Sequence, residues 1–157
     1  MKPGITYGTM LTLFPNTFLQ KFNPVGLLDI FKTASADIVD LSLHHYIAQY
    51  ADFAIVSTGM ATLGEIERVV EIYRKYDCKL TLLHCVSNYP CANESLNLNV
   101  MKTLRNAFCC DVGYSDHAIG PYPAAAAVAL GATIVEKHFT LDKNMAGPDH
   151  KASSDPR

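Results

Sequence analysis

Short apolar runs alternate with helical patterns along most of this chain, and that alternation constrains the fold more than any other feature. Leu28–Thr33 is a short apolar run. Leu41–Tyr50 follows, with Leu43, Ile47 and Tyr50 at helical spacing. Phe53–Ser57 is a second run, ending in Thr58-Gly59. Thr62-Leu-Gly-Glu65 then reads as a capping box, a hydroxyl with a carboxylate three residues on. Behind it Leu63, Ile66, Val69, Val70, Tyr73 and Tyr76 make one helical stripe. Leu80–Cys85 is the next strand, and 101–108 a helix with Met101, Leu104 and Phe108 inward. Val112–Tyr114 is a brief strand. Prolines open an alanine-rich helix over 121–130 and Gly131 closes it, the usual asymmetry of helix ends. Thr133–Phe139 is the last strand.

Strands starting near 28, 53, 80, 112 and 133 are thus separated by helices. Parallel strands need such crossovers, and near-continuous apolar strands belong to sheets covered on both faces. An open doubly wound sheet and a (β/α)8 TIM barrel are the competing architectures. The Gly-x-Gly-x-x-Gly phosphate fingerprint of the first is absent. Polar residues follow one strand end after another: Lys32 and Ser35, Ser57-Thr58-Gly59, His84 and Ser87, Ser115-Asp116-His117, Lys137-His138. A barrel gathers strand ends at one mouth, where its chemistry sits. The expectation is a partial TIM barrel, about the last five βα units, over residues 28–157. Residues 1–27 form a divergent N-terminal segment with no clean period.

Composition narrows the partners. Thirteen basic against fifteen acidic side chains give no footprint for nucleic acid or an anionic membrane. The apolar stretch around 121–132 is shorter than the roughly 20 residues of a membrane span. No secretory h-region opens the chain, so a cytoplasmic protein is expected. Five cysteines, an odd count with no Cys-x-x-Cys, argue against a disulfide scaffold or zinc ribbon and for free thiols in a reducing compartment.

His117 and His138 end consecutive inferred strands. Neighbouring strands lie about 4.8 Å apart, so two such imidazoles can reach one cation. Two unrelated polar histidines are the alternative at this point. Lysines and hydroxyls at a barrel mouth (Lys32, Lys137, Ser35, Ser57, Thr58, Ser115) suit a phosphate or carboxylate. A helix start after Ser57-Thr58-Gly59 adds positive partial charge. Ordinary strand-end capping by hydroxyls is the alternative. Asp149, in a Gly-Pro turn, either folds back over the mouth or is a solvated turn residue. His44 and His45 read as a solvated helix face, His84 as a satisfied core histidine, and Cys85 as core. Cys109 and Cys110 end a helix with no acid–base partner.

Six strings become specific together: Phe31-Lys-Thr-Ala-Ser-Ala-Asp37, Ser57-Thr-Gly-Met-Ala-Thr62, Leu83-His-Cys-Val-Ser-Asn-Tyr-Pro90, Gly113-Tyr-Ser-Asp-His117, Glu136-Lys-His-Phe-Thr-Leu-Asp142 and Gly147-Pro-Asp-His-Lys-Ala-Ser153. In order and spacing they resemble the sialic acid synthase family, N-acetylneuraminate synthase and its legionaminate-type relatives. The resemblance implies condensation of phosphoenolpyruvate with N-acetylmannosamine or a related N-acetyl sugar, giving a nine-carbon 2-keto sugar acid and phosphate. It implies a (β/α)8 barrel followed by a small antifreeze-like domain, a domain-swapped homodimer, and a divalent metal, commonly Mn2+, with Mg2+ or Co2+ as substitutes. Carried over, His117 and His138 are the metal ligands. Lys32, Ser35, Ser57 and Ser115 contact phosphoenolpyruvate. Ser87 stands where some relatives place a substrate-binding Asn. Tyr89 and Asp149 contact the amino sugar, and Asp37 matches an acidic position near the reacting groups. The family's early strands, with a catalytic Glu and a further Lys, find no match in residues 1–27, and no antifreeze-like domain precedes Arg157. The chain is therefore expected to be the C-terminal part of a synthase barrel, weakly active or inactive alone. A legionaminate- or spore-coat-type synthase and a non-catalytic remnant are the rival readings.

Overall fold

A computed structural model describes residues 9–13, 41–147 and 149–156. The expected strand at Leu28–Thr33 lies outside them, as do Lys32, Ser35 and Asp37. The elements in order are β1 (Thr9–Leu13), α1 (Leu41–Tyr50), β2 (Phe53–Ser57), α2 (Leu63–Lys75), β3 (Lys79–Cys85), a 3-10 turn (Asn93–Ser95), α3 (Val100–Phe108), β4 (Asp111–Asp116), α4 (Tyr122–Ala129) and β5 (Val135–Phe139).

The sheet runs β1-β5-β4-β3-β2. β2 to β5 are parallel, and each pairs with the next in sequence. A doubly wound sheet reverses its strand order at a switch point. These four strands never do, and the fold is a partial (β/α)8 barrel. β1 departs from the pattern: it lies antiparallel on β5, with Thr9 opposite Phe139 and Leu13 opposite Val135. Five residues are too few for periodicity to announce a strand.

The two sheet faces carry different cores. Toward the helices pack Val56, Leu82, Val112 and Tyr114 with Ile66, Val69, Val70, Met101, Leu104 and Phe108. On the concave side Phe53, Ile55, Leu83 and Ile134 form a separate cluster. This inner face is crowded at Gly113: an added Cβ would lie 2.5 Å from the Ile134 carbonyl oxygen and 2.6 Å from a Leu83 methyl.

Each helix is positioned by its ends. Thr62 and Glu65 form the reciprocal capping box, the Glu65 carboxylate accepting from Thr62 N–H at 2.7 Å. Of the expected stripe, Ile66, Val69, Val70 and Tyr73 are buried and Ile72 joins them; Leu63, in the first turn, is exposed. α3 buries Met101, Leu104 and Phe108 as its spacing predicts. α4 has Pro123 in its first turn, and Gly131 ends it at φ +91.

α1 differs from expectation. Its buried residues are His44, Ile47 and Ala48, and Tyr50 faces solvent. His44 is not on a solvated face: its Nδ1 lies 3.0 Å from the Tyr73 hydroxyl. A partner on α2 lets a polar ring take an inward position. His84 matches its reading, buried with Nε2 2.7 Å from the Leu96 carbonyl. Among the described residues no helix is long and apolar enough to cross a membrane.

Candidate functional site

Strand alternation builds the site in tiers. Side chains two apart share a face, and directly paired residues of parallel strands share it too. On the inner face Ser57 pairs with Leu83 and Leu83 with Gly113, level with the top of the apolar cluster. One step toward the strand C-termini, Cys85 pairs with Ser115 and Ser115 with Glu136. One step further come His117 and His138. Their ring centroids are 5.5 Å apart and the planes perpendicular. Tyr89, in the loop after β3, closes over both. Its ring is tilted 30° on His138 at 4.4 Å and edge-on to His117 at 5.3 Å.

The middle tier is a polar shelf. Ser115 Oγ donates to Glu136 Oε1 at 2.7 Å, and both residues are buried. Burial pushes the Glu136 carboxyl above its ordinary value, against the pull of Ser115 and His117. Cys85 Sγ lies 3.9 Å from His117 Nδ1 and 4.0 Å from Nε2. Burial acts to raise this thiol, but His117, with hydrogen bonds from Ser57 and Ser115, brings it below the usual thiol range.

The imidazoles are held differently. His117 Nδ1 donates to the Val86 carbonyl at 2.8 Å, which puts the proton on Nδ1 and leaves Nε2 as the lone-pair nitrogen. Burial draws His117 down, yet Cys85, the Val86 carbonyl and Glu136 outweigh it and leave its pKa raised. His138 goes the other way: burial and then the His117 charge lower it, Asp149 opposing. His138 Nδ1 is buried and has no hydrogen-bond partner; an Asp149 carboxylate oxygen stands 3.7 Å off.

Asp149 reaches that position because the chain after β5 doubles back. Thr140 N–H donates to the Ser154 carbonyl at 2.8 Å and Ser154 N–H to the His138 carbonyl at 2.9 Å. The Asp149 carbonyl then accepts from Ser153 Oγ at 2.8 Å and from the Tyr89 hydroxyl at 3.3 Å.

At metal–nitrogen bonds of about 2.1 Å, two imidazoles with centroids 5.5 Å apart are close enough for nitrogens of both to reach one small cation. A lone-pair Nε2 on His117 and the orphaned nitrogen on His138 fit that use. Among the described residues no group of three or more His, Cys, Asp or Glu is arranged to hold a metal. Alone, the pair would supply two positions of a coordination shell.

His117, His138, Tyr89, Ser115 and Asp149 come together, with half-buried Ser57 one tier below and Ser87 exposed at the rim. Three expectations fail here. Lys137 is not part of an anion floor: its ammonium is 2.7 Å from Asp116, behind the sheet. Thr58 is buried and donates to the Leu83 carbonyl at 2.9 Å. The α2 N-terminus offers no open charge, since Glu65 already occupies it. Cys85, read as plain core, belongs to the site, and Glu136 was missed. The signal for Glu136 is the two-residue period, one inward step before His138 as Ser115 is before His117; Cys85 shares that tier by pairing with Ser115.

The whole described chain matches known proteins. A model described as the NeuB family matches residues 9–157, beginning inside the segment whose sequence carried no clean period. N,N'-diacetyllegionaminic acid synthase of Campylobacter jejuni is 51% identical over 149 residues, covering 93% of this chain and 44% of that protein. Pseudaminic acid synthase of the same species is 40% identical, covering 88% and 39%. The crystal structure of N-acetylneuraminic acid (sialic acid) synthetase from Leptospira borgpetersenii superposes with a TM-score of 0.73 at 39% identity, covering 76% of this chain and 42% of that one. The chain spans under half the length of these relatives. With that match over nearly its full length, the chain belongs to the NeuB family.

Proposed function

We propose that the protein is a sialic-acid-type synthase, condensing phosphoenolpyruvate with N-acetylmannosamine or a related N-acetyl sugar into a nine-carbon 2-keto sugar acid and phosphate. The observation that carries this is the perpendicular His117–His138 pair above a shelf of Cys85, Ser115 and Glu136, with Ser57 one tier below, in a chain of the NeuB family. His117 and His138 would hold a divalent ion, Mn2+ first and Mg2+ or Co2+ as substitutes. Such an ion supplies Lewis acidity at an aldehyde oxygen.

The remaining work falls to the chain's own groups. Ser57 and Ser115 hydroxyls donate to the phosphate and carboxylate of phosphoenolpyruvate, with Lys32 and Ser35 as further contacts. Ser87, Tyr89 and Asp149 line the rim toward the amino sugar. Holding both reactants in register lowers the entropic part of the barrier. The enol C3 attacks the aldehyde carbon, water adds at C2, and phosphate leaves with the C2–O bonding pair. Asp37 is the candidate base. Glu136, its carboxyl pushed up by burial, accepts from the Ser115 hydroxyl at the shelf. A cytoplasmic homodimer goes with this reading.

A legionaminate-type sugar is the second reading, supported by 51% identity to the Campylobacter jejuni legionaminic acid enzyme, although the Legionella pneumophila one is 41% identical and the N-acetylneuraminate-9-phosphate synthase of Drosophila melanogaster 43%. The test supplies phosphoenolpyruvate, Mn2+ and a panel of N-acetyl amino sugars, and reads phosphate release and product mass. Slow turnover at best, with one phosphate per nine-carbon acid and both lost in His117→Ala, is expected of this chain alone. Mn2+ uptake without phosphate release from any sugar identifies a non-catalytic remnant.

A further inference from the structure

We propose that the Asp116–Lys137 ion pair is a positioning device: from the helix side of the sheet it fixes the two imidazoles opposite each other on the inner face. Asp116 and Lys137 are direct neighbours across β4 and β5 and share a face. His117 and His138, one residue on, project to the other.

The bonds around the pair converge on the chain at His117. Lys137 Nζ donates to Asp116 Oδ2 and to the Ala118 carbonyl, each at 2.7 Å. Asp116 Oδ1 accepts from Ala118 N–H at 2.9 Å. The His117 carbonyl accepts from Cys91 N–H at 2.8 Å. The peptide joining His117 to Ala118 therefore has both polar groups bonded, and the residue before His138 is tied to the same spot. His138 needs this more than its neighbour, since its Nδ1 has no hydrogen-bond partner to aim it.

Energy alone does not account for the pair. The Asp116 side chain is wholly buried and Lys137 is 12% exposed. An ion pair so buried adds little net stability over apolar residues of similar volume. What apolar side chains cannot supply is direction. Nor is the Lys137 ammonium free to meet a substrate anion from behind the sheet with both oxygens in hand.

The positioning role stands on this geometry; its effect on ion affinity rests on the metal reading. The full chain is compared with Asp116→Leu/Lys137→Met, which removes the pair without stranding a charge, and with Lys137→Arg, which keeps a donor to Asp116. Two readouts are taken: side-chain 15N signals of the histidines in ion-free protein, and Mn2+ titration. The double variant is expected to unfold cooperatively as before, yet to lose the single Nδ1–H form of His117 and bind Mn2+ on the order of ten-fold more weakly. Lys137→Arg keeps both properties. Unchanged histidine signals and unchanged Mn2+ affinity in a folded double variant overturn the proposal. Should that variant fail to fold, Asp116→Ser/Lys137→Met is read the same way. If the unsubstituted protein takes up no Mn2+, the metal reading fails, and the histidine signals alone decide the positioning role.

Discussion

At the scale of single residues, the inner face is set by what each position can tolerate. Gly113 faces a backbone carbonyl that cannot swing away, with a Cβ-to-oxygen distance of 2.5 Å. Gly113→Ala is expected to destabilise by about 1–3 kcal/mol in denaturant unfolding. Gly59 meets instead the Ser87 hydroxyl at 2.6 Å, a rotatable end. Gly59→Ala is expected to leave unfolding nearly unchanged while displacing Ser87, read as a change in KM for the sugar. Protonation gives a further outcome. A proton and a metal ion compete for the same imidazole nitrogen. His117 stands above its ordinary value of 6.5 and His138 below it. Mn2+ affinity is therefore expected to start falling at a pH above 6.5 as the solution is acidified, with His117 protonating first. Titrations at stepped pH check this; a fall confined to well below 6.5 contradicts it. That His117 and His138 stand side by side was legible because polar residues at strand ends stand out against apolar strands. Lys137 was misread because a charge at a strand end looks the same on either face until its partner, Asp116, is seen.

At the scale of elements, local signals worked where a helix carries its own caps. Thr62 and Glu65 satisfy each other, so α2 was readable to its first residue. Thr62→Ala is expected to cost about 1 kcal/mol in thermal or denaturant unfolding. Glu65 adds a pH signature. Its bonds from Thr62 lower its pKa in the folded chain below 4.5. A lowered carboxyl contributes stability that is fully present above the unfolded value and lost as pH falls through the folded one. The stability difference between the protein and Thr62→Ala is thus expected to shrink as pH drops below 4.5. A difference independent of pH there contradicts the capping account. α1 was less legible, since its inward face includes His44, whose partner Tyr73 lies on another helix. β1 was not legible at all: its pairing with β5 is a long-range fact that five residues do not encode.

At the scale of the whole molecule, sequential parallel order converts strand periodicity into tiers: apolar at the base, then hydroxyl, thiol and carboxyl, then imidazole under Tyr89. The sequence carried this order because βα units repeat at regular spacing and each strand's inner residues recur every second position. It did not carry how the chain beyond β5 returns to bring Asp149 near His138, which depends on backbone bonds between Thr140, Ser154 and His138. A ligand that binds only the folded chain stabilises it, by about 2.7 kcal/mol at one hundred times its Kd. Mn2+ is accordingly expected to raise Tm in the protein and not in His138→Ala, by differential scanning calorimetry. The most direct test of the central claim is calorimetric titration of Mn2+ into the protein, His117→Ala and His138→Ala side by side. The account predicts one ion per chain, with affinity lower by at least about ten-fold in each variant. Equal affinity in all three, or no uptake by the unsubstituted protein, would contradict it.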